Sequence, residues 1–264
     1  MNKFEEFYYL TENRLCSLYE IEQEYRYLDR SMSRYTDCMY CPECKKAKLT
    51  YRHGSNGKHG YLAKLPSSNH DITCTYNYEE GSKKVVTQYI DSLSEGKLQD
   101  KLETALNLLI RSKQKNNVEV DNKGMRDTFL IRTNNTKESQ KYVTIPRKSL
   151  NSWLDKECEE VPYIFYGKVR VKLRSMISKI GNEYYMLDLL TAKRDGTWKY
   201  KISVFLNKYM YYHCKIDSLL EDKDYAVALC GKISSEYGYM QIKLLNNGFS
   251  YREVKDGDLF EPGM

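Results

Sequence analysis

The chain has 264 residues, 42 Lys and Arg against 36 Asp and Glu, and a formal charge of +6, which is length enough for a sizeable core and for two domains. With 30% charged residues, a mean hydropathy of −0.70 and no run near the ~20 apolar residues of a membrane-spanning helix, a helical membrane protein is excluded and a soluble one expected. The opening MNKFEEFYYL lacks the charged-then-apolar pattern of a secretory signal, so a cytoplasmic protein is expected; there, eight cysteines point to metal or redox chemistry rather than a disulfide framework.

Residues 1–80 form the first expected domain, a zinc-binding module, and hold five of the eight cysteines and three of the four histidines. Its first part, TENRLCSLYEIEQEYRYLDRSMSRYTD, reads as a helix and a strand with no assigned role. Next comes CMYCPECKK at 38–46. Cys41-Pro42-Glu43-Cys44 is a tight turn that lets two thiolates approach one ion while backbone N–H groups point at the sulfurs. Downstream, HDITC sets His70 and Cys74 at a spacing that presents two ligands on one side. The 25 residues between the pairs look like two strands joined at Asn56-Gly57, a hairpin that returns His70 and Cys74 towards Cys41 and Cys44. Cys41, Cys44, His70 and Cys74 make a Cys3His set, and four protein ligands leave no position for water, so the expected cofactor is a structural zinc ion. The competing sets exchange Cys38, His53 or His59 for one of these. A redox dithiol is the rival chemistry, but that motif usually opens a helix after a strand.

The run YCPECKKAKLTYRHGSNGKHGYLAKLPSSNHDITC resembles the N-terminal zinc-finger region of competence-protein CoiA-like sequences and related bacterial zinc-ribbon modules. The resemblance covers about 40 residues, with HGYLAK where that family has an HFAH run. It implies a zinc module in a nucleic-acid setting. No paired acidic motif is present onto which the family's separate nuclease activity could be transferred.

Residues 81–150 are expected to be a helical hairpin linker and connector. Val85, Val86, Tyr89, Ile90 and Leu93 share one helical face, and Leu98, Leu102, Ala105, Leu106, Leu109 and Ile110 another, with Gly96 expected to stop the first helix. Polar sequence follows, with an expected exposed tip at 134–141.

From 151 to 264 the character becomes β. YIFYGKVRVKL, NEYYMLDLL and KYKISVFL read as strands, NKYMYYHCKIDSLL as a helix, and DYAVALCGKI and GYMQIKLL as two closing strands. This β-β-β-α-β-β order resembles an OB-fold. The expected fold class is therefore α+β: a zinc-ribbon-like hairpin module, the helical linker and a closed five-stranded barrel. The resemblance implies oligonucleotide binding through the second and third strands and nearby loops. Residues 163–254 hold 15 Lys and Arg against 9 Asp and Glu, the whole of the net charge. Period-two alternation puts Lys168, Arg170, Lys172 and Arg174 on one face of a strand, with Val169, Val171 and Leu173 on the other. Tyr185, Trp198, Lys193, Arg194, Lys199 and Lys201 complete the expected contacts, since single strands are held by cations plus stacking aromatics. Alternation also turns Tyr200 inward beside Ile202 and Val204.

His213, Cys16, Cys158, Cys214 and Cys230 read as packing or surface. No P-loop, G-x-S-x-G or H-E-x-x-H motif occurs, and Asp188, Asp195 and Asp217 lack two-metal spacing, so no catalytic residues are assigned. The expected function is non-enzymatic binding of single-stranded DNA or RNA, in a chain whose Lys, Asn and Tyr content suits an AT-rich bacterial or phage genome. The alternative is an adaptor docking on a protein partner in a DNA-processing or defence complex.

Overall fold

The structure is a computed structural model describing residues 4–27, 32–54, 59–72, 74–112, 129–133, 141–154, 158–193, 196–236, 238–255 and 258–260. The Asn56-Gly57 turn, the tip at 134–140 and Arg194 lie outside the described residues.

The N-terminal module is larger than the expected hairpin. Strands β1 (Glu6–Tyr9), β2 (Arg14–Ser17) and β3 (Met39–Tyr40) form a sheet in the order β2-β1-β3. Helix α1 (Leu18–Tyr27) follows β2 directly. Its start is legible in S-x-x-E: the Glu20 N–H donates to Ser17 Oγ at 3.1 Å, satisfying one of the unpaired donors of the first turn. The hairpin β4 (Leu49–Arg52) and β5 (Tyr61–Lys64) is where the sequence places it. Phe7, Tyr9, Ile21, Tyr35, Leu49 and Leu62 pack around Cys41 and Cys74 in one buried cluster, and residues 4–40 supply eight of its thirteen described buried members.

Helices α2 (Lys83–Ser92) and α3 (Glu95–Leu109) are not a linker. Their buried stripes, Val86 and Ile90 on one and Leu98, Leu102, Ala105, Leu106 and Leu109 on the other, cover Ile164, Ala226, Ala228 and Cys230 on the outer face of the main sheet. Small residues there let the helices approach. At Gly248 a Cβ would come within 2.9 Å of Leu98 Cδ2 and 2.8 Å of Cys230 Cβ. Gly96 does not end α2. That helix stops at Leu93, with Gly96 already inside α3. Strands β6 (Ile110–Ser112), β7 (Leu130–Thr133) and β8 (Lys141–Thr144) follow; β7 pairs with β8, and β6 with the last strand, β15 (Asp258–Phe260).

The main sheet comprises β9 (Arg147–Ser149), β10 (Pro162–Ile177), β11 (Glu183–Ala192), β12 (Trp198–Asn207), β13 (Tyr225–Ser234) and β14 (Gln241–Glu253). Between β12 and β13 the expected long helix is only α4 (Lys208–His213); a left-handed Lys215 (φ 53°) breaks it before a 3-10 turn at Ile216–Ser218. The expectation of a closed five-stranded barrel is corrected: the sheet has six strands in the order β11-β12-β14-β13-β10-β9, with a further β10–β11 pairing, and runs out at β9. The reason lies in the length of β10. Its first half pairs with β13 and its second half, from Arg170, with β11. That leaves one side of the first half for β9, which joins in parallel at Ile164, Phe165 and Tyr166. The inner face encloses Phe165, Val169, Leu187, Leu189, Val204, Leu229 and Ile242, and Cys158 and Cys214 pack there as expected. Cys230 lies under the helices and Cys16 in the N-terminal core.

Candidate metal centre and nucleic-acid interface

The knuckle is built by backbone. The Cys41 N–H donates to Ala47 O at 2.8 Å and the Lys45 N–H to Cys41 O at 3.0 Å, with Lys45 at φ 54° closing the turn. The hairpin then brings the chain back: the Leu65 N–H donates to Lys48 O at 3.0 Å and the Lys48 N–H to Ser68 Oγ at 2.7 Å. This sets His70 and Cys74 over the knuckle. One ligand atom from each of Cys41, Cys44, His70 and Cys74 lies within 4.8 Å of all the others. Cys41 Sγ is 3.6 Å from Cys74 Sγ, and His70 Nδ1 is 3.5 Å from the sulfurs of both Cys44 and Cys74. A tetrahedral zinc ion with bonds of ~2.3 Å to sulfur and ~2.0 Å to nitrogen needs edges of roughly 3.8 and 3.5 Å. The set fits a structural zinc ion.

Electrostatics agree. Burial pushes the Cys41 thiol up to about 12, and hydrogen bonding to Cys41, then burial, pushes Cys44 up to about 11. Without an ion these thiols are protonated near neutral pH and poor nucleophiles, which favours the metal reading over the redox one. Backbone N–H groups of Lys46, Ala47 and Asp71 reach the Cys44 sulfur and favour its anionic form, as a metal-bound thiolate requires. The competing ligands are elsewhere. Cys38 packs against the module core, His53 stacks on Tyr25 with centroids 5.7 Å apart, and His59 on Trp153 at 4.1 Å. His70 is itself held by stacking on Phe4 at 5.9 Å.

The module docks on the free side of β10 through β9. Arg147 lies 5.1 Å from the ring centroids of both Tyr76 and Phe129 and donates to Thr75 Oγ1 at 2.9 Å and to Glu43 Oε2 at 3.3 Å. Glu43, between the two knuckle cysteines, also accepts from the Thr75 N–H at 2.8 Å. Beside this, Glu5 takes the Lys148 ammonium and the Ser149 N–H at 2.9 Å, and the Tyr166 hydroxyl donates to Glu6 Oε2 at 3.1 Å.

Burial raises the Glu6 carboxyl from 4.5 to about 7, overcoming hydrogen bonds from Ser149 and Tyr166 that lower it. Between these values the folded chain keeps a proton that the unfolded chain releases. This stabilisation is complete below the unfolded value and is lost as pH rises through about 7, a change on the order of 3 kcal/mol. Urea unfolding at about pH 5 and about pH 8 should show that loss, and Glu6→Gln should abolish it. An identical pH dependence in the variant would refute the assignment.

The expected basic ladder keeps its alternation: Val169 and Val171 are buried, while Lys172 and Arg174 are exposed. Its charge, however, is mostly answered within the chain. Lys168 and Arg170 bind Asp224 at 2.8 and 2.7 Å, and Arg174 forks onto Asp188 at 2.7 and 2.8 Å. Among the described residues Lys172 alone of the four has no acidic partner. Lys201 donates to Ser152 O, and burial lowers it to about 8. Tyr185 belongs to the core, stacked on Tyr211 at 3.9 Å. Lys193 and Lys199 are exposed beside a half-buried Trp198, over which Arg170 sits at 4.8 Å. Tyr200 turns outward, not inward, because the register with β11 slips at Lys201: Ile202 faces Leu189 but Tyr200 faces Leu190. Such a bulge shifts the side chains beyond it to the other face. Asp224 is the residue the sequence reading missed, and Tyr200 the one it placed on the wrong face. The acidic run just ahead of β13 is the only signal that could have revealed Asp224.

No family model, no curated protein and no solved structure matches the chain.

Proposed function

We propose that the protein is a non-enzymatic binder of single-stranded nucleic acid whose zinc module braces one side of the sheet. One observation carries this reading. Trp198, with the Arg170 guanidinium 4.8 Å from its ring centroid, and Tyr200 lie on the outer face of β12, Lys172 is exposed on the same face of β10, and Lys193 and Lys199 are exposed at the β11–β12 end; aromatics close to exposed cations are what a flexible polyanion needs. The likeness of the knuckle to CoiA-like zinc regions supports the same setting. Log affinity for a single strand should fall linearly with log salt, by about 0.7 per phosphate neutralised. Trp198→Ala should weaken binding roughly tenfold, and Lys172→Ala with Lys199→Ala should also flatten the salt slope. Salt-indifferent binding, or three silent substitutions, would move the contact elsewhere.

A second reading, an adaptor for a protein partner, draws on the β10–β11 hairpin tip, where Ile177 is 75% and Ile180 83% exposed. Copurification distinguishes the two: nucleic acid removable by high salt favours the first, and a stoichiometric protein the second.

A further inference from the structure

The outer face of the main sheet carries a polar row running straight across five strands. Lys172 on β10 pairs with Asp188 on β11, Asp188 with Ser203 on β12, Ser203 with Gln241 on β14, and Gln241 with Ser234 on β13. All lie opposite the inner core, because their strand neighbours Val171, Leu187, Leu189, Ile202, Val204, Ile242 and Ile233 face inward. Lys172 is exposed at one end, while Asp188, Ser203, Gln241 and Ser234 are buried.

Three of the buried members are satisfied. Ser203 Oγ donates to Asp188 Oδ1 at 2.6 Å and shares a 3.0 Å hydrogen bond with the Tyr200 hydroxyl. Arg174 holds both Asp188 oxygens, and Ser234 Oγ accepts from the Glu236 N–H. Gln241 is different. It is fully buried, and among the described residues neither its carboxamide oxygen nor its nitrogen has a hydrogen-bond partner. A buried carboxamide with nothing to bind is costly, and an aliphatic side chain would fill the same place without loss.

We propose that Gln241 reads the edge of an unpaired nucleobase. Tyr200, hydrogen-bonded to Ser203 of the same row, and Tyr239, two residues ahead of Gln241, are each about half exposed at 49% and 47% and offer ring faces beside the base, while Lys172 meets a phosphate of the same strand. This rests on the single-strand reading and says how single strands are told from duplex. Every base carries a hydrogen-bond donor beside an acceptor on its Watson–Crick edge, and a carboxamide carries the complementary pair. In a duplex that edge is already engaged. The residue therefore selects for strandedness, not for sequence.

The test uses the full chain and three probes of equal length: a mixed-sequence single strand, its duplex, and a strand of abasic sugars. Gln241→Leu should bind the single strand roughly tenfold more weakly, the loss of one bidentate contact, and should bind the abasic strand and the duplex as the parent does. Its melting temperature should be unchanged or higher, since no partner is lost in the free protein; Gln241→Met, closer in shape, should behave alike. Equal weakening on base-bearing and abasic strands, or no weakening at all, overturns the inference while leaving single-strand binding intact. A parent chain that binds none of the probes overturns both.

Discussion

Removing the zinc with a strong chelator should unfold the N-terminal module and leave the main sheet standing. Cys41 and Cys74 are part of the same buried cluster as Phe7, Tyr9 and Ile21, so losing the ion opens the core as well as the knuckle. Apparent zinc-binding free energies for small modules run to about 10–16 kcal/mol, comparable with the whole stability of an ordinary domain, about 5–15 kcal/mol. The sheet has its own enclosed core, drawn from β10 to β14 and the connector ahead of them. Amide exchange on metal-free protein should therefore show protection lost from β1 to β5, α1 and the knuckle included, and kept along β11, β12 and β13. Cys41→Ser should reproduce the pattern without chelator. Full protection of the module in protein shown by elemental analysis to hold no metal would end the structural-zinc account.

Arg147→Ala should be among the most damaging substitutions outside the metal ligands, with a loss of about 2–4 kcal/mol, because removing one partner of a largely enclosed ion pair, its side chains 18% and 23% exposed, leaves the other charge poorly compensated. Here that charge is Glu43, which sits inside the knuckle and shares Thr75 with the arginine. The guanidinium also fills the space between Tyr76 and Phe129, and alanine fills none of it. Adding Glu43→Gln to an Arg147→Met chain should restore part of the loss, since the stranded charge is then gone and the apolar volume kept. Chemical denaturation of the four chains measures this directly. A single-variant loss below about 1 kcal/mol, the range of an exposed pair, would show that the contact is ornamental.

Much of this arrangement is local enough to be read along the chain. The two helical stripes are legible because each needs only a period of 3.6: seven of the eleven residues named for them are buried, and Val85, Tyr89, Leu93 and Ile110 are partly buried against the same cluster. The zinc ligands are legible because a knuckle, a hairpin and a His/Cys pair act within 34 consecutive residues, Cys41 to Cys74. What stays hidden depends on partners far apart. Three residues, Arg147 to Ser149, carry no strand signal of their own and become β9 only because β10 is longer than its partners. The ladder Lys168 to Arg174 reads as a cationic face, yet three of its four charges are met by Asp188 on β11 and by Asp224 just ahead of β13. One extra residue at Lys201 reverses Tyr200, and nothing in KYKISVF announces it. Residues 4–37 resisted assignment because their apolar side chains serve a core completed by the knuckle.

The placement of the four ligands has a consequence for biosynthesis. All of them leave the ribosome before the first residue of the main sheet is made, and a module that emerges first can fold first. The ion can thus be captured by a nascent chain, whereas Glu5 must wait for Lys148 and Ser149 to be synthesised before it finds its cradle. Metal starvation would then strike during translation, leaving finished sheets that carry an unfolded leader.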